Sequence, residues 1–313
     1  MDDNTKDIII VGGGPAGLTA AIYASREGLD TLLLEQALCG GLAATTDLIE
    51  NYPGFPDGIS GMELTSKFKE QALKFGTNIA EFEEVKGIEP AGNRTRVQTT
   101  EEEYNAYAVI VASGSIPEKL NIPGEEEYTG RGVSYCATCD GALYRDKDVA
   151  VIGTGNSGLQ EGEFLLSHVK SVTFVGYSPH MRGARILQER LKKSEKTRFL
   201  LDHMLTSING DTRVTSVMVK NGQTGEEEQI EVSGVFVYVG WLPNSKFLQG
   251  VVELDALGHI VTNEEMEASV PGIYAAGDVR SKKVRQIGVA CGEGIIAATS
   301  ARDYIRELIQ KAG

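Results

Sequence analysis

The stretch Ile8-Ile9-Ile10-Val11-Gly12-Gly13-Gly14-Pro15-Ala16-Gly17 decides the fold. A strand-type apolar run passes into a glycine-rich turn. Leu18 to Glu27 then has helical composition, and Thr31-Leu32-Leu33-Leu34 reads as the next strand. A G-x-G-x-x-G turn between strand and helix lets the backbone bend tightly and approach a pyrophosphate, while the helix N-terminus offers amide donors and partial positive charge. Gly12, Gly14, Pro15, Ala16 and Gly17 form that turn. Glu35 closes the second strand about 20 residues on, where a carboxylate can hold the hydroxyls of an adenosine ribose.

The same pattern returns 141 residues later. Val149-Ala150-Val151-Ile152 leads into Gly153-Thr154-Gly155-Asn156-Ser157-Gly158, a helix through about Ser167 and the strand Val172-Thr173-Phe174-Val175. Two such units predict an α/β fold with two Rossmann-like dinucleotide-binding domains. The second lacks the groups that would hold a ribose. Where the first has Glu35 it has Gly176, followed by Tyr177 and Ser178, with neither a carboxylate for a 2′-hydroxyl nor a guanidinium for a 2′-phosphate. Toward the C-terminus, Gly272-Ile273-Tyr274-Ala275-Ala276-Gly277-Asp278 sets one carboxylate at the end of a short apolar strand, ahead of a helix from about Gly292 to Leu308. Asp278 reads equally as a turn or N-cap residue from local sequence alone.

Composition narrows the class. With 313 residues, 41% hydrophobic and 24% charged, the chain is globular and long enough for two domains. A net charge of −14 argues against nucleic acid as a partner. The acidic runs Glu101 to Glu103, Glu125 to Glu127 and Glu226 to Glu228 read as solvated turns. Neither a signal peptide nor an apolar stretch of the roughly 18 residues needed to span a membrane is present, which predicts a cytoplasmic protein. The four cysteines, at 39, 136, 139 and 291, are too few for a disulfide scaffold. His168, His180, His203 and His259 are scattered, so no metal site is expected.

Val133-Ser134-Tyr135-Cys136-Ala137-Thr138-Cys139-Asp140-Gly141 carries the chemistry. Two thiols separated by two residues close a small disulfide ring on one helical turn, and the helix N-terminus favours one thiolate. That thiolate can attack a partner's disulfide, and the second thiol resolves the mixed disulfide. Asp140 stands beside the pair as a candidate proton carrier. Cys39 and Cys291 lack this spacing and read as packing residues.

In these residues the chain resembles the low-molecular-weight thioredoxin reductases over essentially its whole length. The likeness is carried by Gly12 to Gly17, Glu50-Asn51-Tyr52-Pro53-Gly54-Phe55-Pro56, Cys136 to Gly141, Ala275 to Val279 and Arg285-Gln286. The resemblance implies an FAD domain built from residues 1–116 and 247–313, interrupted by a smaller redox-active domain, 117–246, that rotates to bring the dithiol to thioredoxin. It implies a homodimer, with Asn51, Gly277, Asp278, Arg285 and Gln286 helping to hold the flavin. Cys139 would face the flavin, Cys136 would attack thioredoxin and Asp140 would act as acid/base. NADPH-dependent members place His-Arg-Arg where this chain has Gly176-Tyr177-Ser178, so the expected donor is ferredoxin, as in divergent members. Arg182 to Arg198, with seven Lys/Arg against two Glu, offers a surface to steer that acidic protein. The same run also reads as a solvated helix face. An NADPH-dependent reductase and a non-catalytic flavin-binding sensor are the alternatives.

Overall fold

The computed structural model describes residues 4–312. The first sheet uses β1 (Thr5–Val11), β2 (Thr31–Glu35), β3 (Asn78–Glu81), β4 (Val85–Ala91), β5 (Arg94–Thr99) and β6 (Glu103–Val111). After β7 (Ser115–Pro117) come β8 (Val133–Ser134), β9 (Asp148–Ile152), β10 (Ser171–Gly176) and β11 (Thr197–Leu201). The hairpins β12 (His203–Gly210), β13 (Val214–Asn221) and β14 (Glu227–Glu231) follow, then β15 (Gly234–Val237), β16 (Trp241–Pro243) and β17 (Ile273–Ala275). The helices are α1 (Pro15–Arg26), α2 (Gly41–Ala44), α3 (Gly61–Lys74), α4 (Ala137–Asp140), α5 (Asn156–Leu165), α6 (Arg185–Lys192) and α7 (Ile287–Ala312).

The chain divides into two compact units, Met1–Ile116 with Leu242–Gly313, and Pro117–Trp241. The second crossing therefore falls at 241–242, ahead of the expected 246. The reason is local: Asn244 N donates to Gly114 O at 3.0 Å and Ser113 Oγ donates to Asn244 O at 2.6 Å, which ties this segment to the first unit. The two crossing strands, β7 and β16, pair with each other.

In the first unit the strand order is β3-β2-β1-β6-β5-β4, with β17 also paired to β6. The pairs β1/β2, β1/β6, β2/β3 and β6/β17 are parallel, while β4/β5 and β5/β6 are antiparallel. An all-apolar β1 is what a strand covered on both faces requires. Ile8 and Ile10 point into a core with Leu18, Ala21 and the α7 residues Ala297, Ala301 and Ile305. Ile9 and Val11 point into the opposite core with Ile88, Val97 and Leu248. Truncating Ile10, which is fully buried, to Ala would cost about 2–5 kcal/mol.

The second unit repeats the design. Its parallel sheet runs β11-β10-β9-β15-β8, and the antiparallel sheet β12-β13-β14 covers one face. Ala150 and Ile152 of β9 face that sheet's Val217 and Val219, whereas Val149 and Val151 face Leu159 of α5 and Leu187 of α6. Each glycine-rich turn leaves its strand in the left-handed region, with Gly12 at φ +107° and Gly153 at φ +118°. A Cβ on Gly12 would lie 2.4 Å from Ala112 O, and one on Gly153 would lie 2.1 Å from Tyr238 O, so only glycine fits at either position.

Some elements differ from expectation. Helix α7 starts five residues before Gly292 and runs on to Ala312, because its small residues pack closely on α1; a Cβ on Gly294 would lie 2.3 Å from Ala16 O. Helix α5 ends at Leu165, two residues short of Ser167. The acidic runs are not all solvated turns. Glu125 is buried, and Glu227 and Glu228 belong to β14.

Candidate functional site

In the first unit, α1 begins with Gly14 as N-cap and Pro15 in its first turn, and no side chain caps it. Its first amides are thus open to an anionic ligand. Glu35, at the end of β2, turns one carboxylate oxygen toward this turn and the other toward the chain that follows β2. Oε2 accepts from Gly13 N at 2.7 Å and Oε1 from Ala37 N at 2.9 Å. Glu35 lines a cleft of about 190 Å³ with Val11, Gly12, Ser113, Asn244 and Phe247.

The remaining candidates arrive from distant sequence. Gly277 sits against the first turn, where a Cβ on it would lie 2.9 Å from that of Ala16. Asn51 Nδ2 donates to Gln286 Oε1 at 3.0 Å. Arg285 does not join that pair; its Nη2 meets His259 Nε2 at 2.7 Å, and His259 Nδ1 lies 3.4 Å from Asp255 Oδ1. Behind Gly277 lies a buried ionic cluster that the sequence did not announce. Glu293 accepts from Gly277 N at 2.8 Å, Arg280 Nη1 at 2.8 Å and Lys282 Nζ at 3.0 Å. Lys282 Nζ is 3.3 Å from Asp278 Oδ1, near enough for charge attraction but not aligned for hydrogen bonding, so Oδ1 is buried without a hydrogen-bond partner. A buried carboxylate oxygen left over in a cradle of open amides fits a hydroxyl-rich dinucleotide such as FAD.

The two free cysteines belong to the same neighbourhood. Cys39 Sγ packs so tightly on Gly13 that a Cβ there would come within 2.6 Å of it. Burial and the adjacent Glu81 carboxylate push the Cys39 thiol up to about 12. Cys291 is buried, with Sγ 3.8 Å from Tyr52 Oη and 3.9 Å from Pro15 O.

In the second unit Cys136 and Cys139 are joined as a disulfide. Cys136 is the N-cap of α4, and its Sγ accepts from Cys139 N at 3.2 Å. Cys136 is half-buried and Cys139 exposed. Ser134 organises the turn: its Oγ donates to Asp140 Oδ2 at 2.7 Å and accepts from Cys136 N at 3.1 Å. Asp140 thus stands one hydroxyl away from the backbone of Cys136. Tyr135 Oη donates to Glu125 Oε1 at 2.9 Å, which anchors the approach to the dithiol.

The second glycine-rich turn is braced by its own unit, while Gly155 borders open space and no side chain caps α5. Thr154 O accepts from Arg182 N at 2.9 Å and Gly183 N at 3.0 Å, and Asn156 Oδ1 accepts from Ala184 N at 2.7 Å. The Arg182 guanidinium lies over the Tyr177 ring, 5.1 Å from its centroid, and hydrogen-bonds the Tyr177 hydroxyl. Much of the basic run is engaged locally. Arg185 pairs with Glu189, Arg190 with Glu163 and Arg198 with Glu228, while Lys196 Nζ donates to Leu166 O and Val169 O. That pattern ties most of the run to neighbouring groups of its own unit and lends no support to ferredoxin steering. Among the described residues no helix is long and apolar enough to cross a membrane, and no group of three or more His, Cys, Asp or Glu is arranged to hold a metal.

Residues 6–294 match the family model of the pyridine nucleotide-disulphide oxidoreductases. The chain is 42% identical over 308 residues to a thioredoxin reductase of Bacillus subtilis, covering 98% of this chain and 97% of that protein. Among solved structures it is similar to thioredoxin reductase of Lactococcus lactis in its FR conformation, with a TM-score of 0.94 and 41% identity over 96% of this chain and 99% of that one. It is also similar to thioredoxin reductase of T. acidophilum, with a TM-score of 0.93 and 40% identity over 98% and 100%.

Proposed function

Since the chain belongs to the pyridine nucleotide-disulphide oxidoreductase family, and within it to the low-molecular-weight thioredoxin reductases, we propose that it reduces the disulfide of thioredoxin through Cys136 and Cys139. It is an FAD-dependent disulfide oxidoreductase, which sets aside the sensor reading. The observation that carries the proposal is the Cys136–Cys139 disulfide on a turn whose backbone and neighbouring carboxylate share Ser134 Oγ.

We assign the flavin cradle to Gly12, Gly14, Pro15, Ala16 and Gly17 at the pyrophosphate and to Glu35 at the adenosine ribose. Asn51, Gly277, Asp278 and Gln286 complete it, with Arg285 held beside Gln286 by His259. FAD held there would supply two-electron redox chemistry for the Cys136–Cys139 disulfide. The protein chemistry that follows is thiol–disulfide exchange. Cys136 thiolate attacks one sulfur of the partner's disulfide, forming an intermolecular S–S bond and releasing a thiolate that takes up a proton. Cys139 thiolate then attacks Cys136 Sγ, re-forming the internal disulfide and releasing the partner as a dithiol after a second protonation. Asp140, with Ser134 beside it, is the group placed to carry those protons. Two electrons and two protons pass per cycle.

The donor we propose is a reduced pyridine nucleotide at Gly153 to Gly158 rather than ferredoxin, because the family takes its name from that donor and the basic run is engaged locally. With Arg182 held by Tyr177, preference for NADPH over NADH is expected to stay below about tenfold, the discrimination of less than one good charge-assisted contact. The reading fits the cytoplasm, where thioredoxin-type disulfides are kept reduced, and a homodimer, which light scattering tests directly. One preparation, assayed anaerobically with NADPH, NADH and reduced ferredoxin, tests both parts. A nucleotide should bleach the flavin, and Cys136→Ser and Cys139→Ser should each abolish thioredoxin reduction while leaving that bleaching intact. Undiminished thioredoxin reduction in both variants overturns the function, and bleaching by ferredoxin alone overturns the donor.

A further inference from the structure

The amide that opens the dithiol turn has a partner from elsewhere in the unit. Ala137, between Cys136 and Thr138, is fully buried, and its N–H donates to Tyr238 Oη at 2.8 Å. Tyr238 directly follows β15. Its backbone N–H bonds Ile152 O at 2.7 Å, and its ring belongs to the same core as Ala137 and Leu159. The phenol hydrogen-bonds Glu161 on α5, so Glu161 takes its proton and a lone pair is left for Ala137. Burial, with the nearby carboxylates of Glu161 and Asp140, pushes the phenol far above its ordinary value and keeps it neutral.

A phenylalanine would fill the same space, so the hydroxyl serves the hydrogen bond and not the packing. An unpartnered buried N–H is costly, which makes the bond obligatory for this turn geometry. We propose that Tyr238, oriented by Glu161, is a positioning residue for the dithiol: by holding Ala137 N–H it fixes the turn so that Cys139 N–H points at Cys136 Sγ, and in the reduced enzyme this stabilises the Cys136 thiolate. The inference deepens the proposed function, since it concerns the thiol assigned to attack thioredoxin. The anchor lies on the sheet and on α5, outside the ring.

The test uses the full-length enzyme reduced with dithiothreitol. Alkylation of Cys136 by iodoacetamide is followed site by site by mass spectrometry across pH. In Tyr238→Phe the midpoint should rise and the rate at pH 7 should fall about threefold to tenfold, the worth of one hydrogen bond to a thiolate. Glu161→Gln keeps an acceptor for the phenol and should shift the midpoint in the same direction by less. Tyr238→Phe with a lowered melting temperature but a Cys136 profile superimposable on wild type shows packing alone and overturns the proposal. Should that variant fail to fold, Glu161→Ala decides by the same profile. Neither a donor nor thioredoxin enters the measurement, so its failure is distinguishable from failure of the functional reading.

Discussion

Glu125 offers the sharpest quantitative test of how the dithiol is supported. Its carboxylate is 2% exposed and accepts from Leu120 N at 2.9 Å, Asn121 N at 2.6 Å and Tyr135 Oη at 2.9 Å. Oε1 takes Leu120 and Tyr135, and Oε2 takes Asn121 alone. In Glu125→Gln one oxygen becomes an NH₂ group, and the amide is best placed with its oxygen toward the two donors. Asn121 N–H then faces another donor, which loses one charge-assisted hydrogen bond at a part-buried site, a cost of about 1.5–3 kcal/mol. In Glu125→Ala all these donors lose their acceptor, and water entering the space offsets part of the loss, giving about 3–5 kcal/mol. Urea unfolding followed by the only tryptophan, Trp241, which lies in the same compact unit, measures both. Stabilities of both variants within about 1 kcal/mol of wild type would refute the reasoning, since a buried carboxylate with these bonds cannot be both satisfied and dispensable.

Asp255 should impose an acid limit on the first unit. Burial raises its pKa, but hydrogen bonds from Ser281 and from the backbone of His259 and Leu257 outweigh that and hold it at about 2. A carboxyl depressed on folding contributes stability above its unfolded value, lost as pH falls through the folded one. About 2 kcal/mol should therefore disappear between pH 4 and pH 2, and the pH dependence across that window should be shallower in Asp255→Asn. Cys39, with its thiol pushed up to about 12, should be alkylated at pH 8 at least about a hundredfold more slowly than Cys136 in the reduced protein; comparable rates on mass-spectrometric mapping would show that Cys39 is an accessible thiolate.

The frame was legible because it rests on local patterns: an apolar strand, a turn that only glycine can make, and a helix beginning with open amides. The dithiol was legible for the same reason, since three residues of spacing determine the ring. What the sequence did not disclose are partners brought together across the fold. Nothing near Glu125 marks it as buried, because its donors come from Leu120, Asn121 and Tyr135 and depend on how the chain doubles back. Tyr238 lies 101 positions from Ala137, and pairing of β15 with β8, which runs straight into the dithiol turn, brings it there. The cations of residues 182–198 invited a steering role because the sequence showed their number but not Glu163 and Glu228, which pair with two of them. The start of α7 was not legible because no acidic residue marks its first turn and its small residues suit contact with α1 more than any helix signal.

Strand β17 pairs with β6 across more than 160 positions, while residues 117–241 form a contiguous body between them. During synthesis the intervening body can therefore acquire its structure first, whereas the outer sheet stands with one flank of β6 open until Ile273 to Ala275 emerge from the ribosome. Val109, Ile110 and Val111, all fully buried at the end, form the flank that a nascent chain must keep from other polypeptides in that interval.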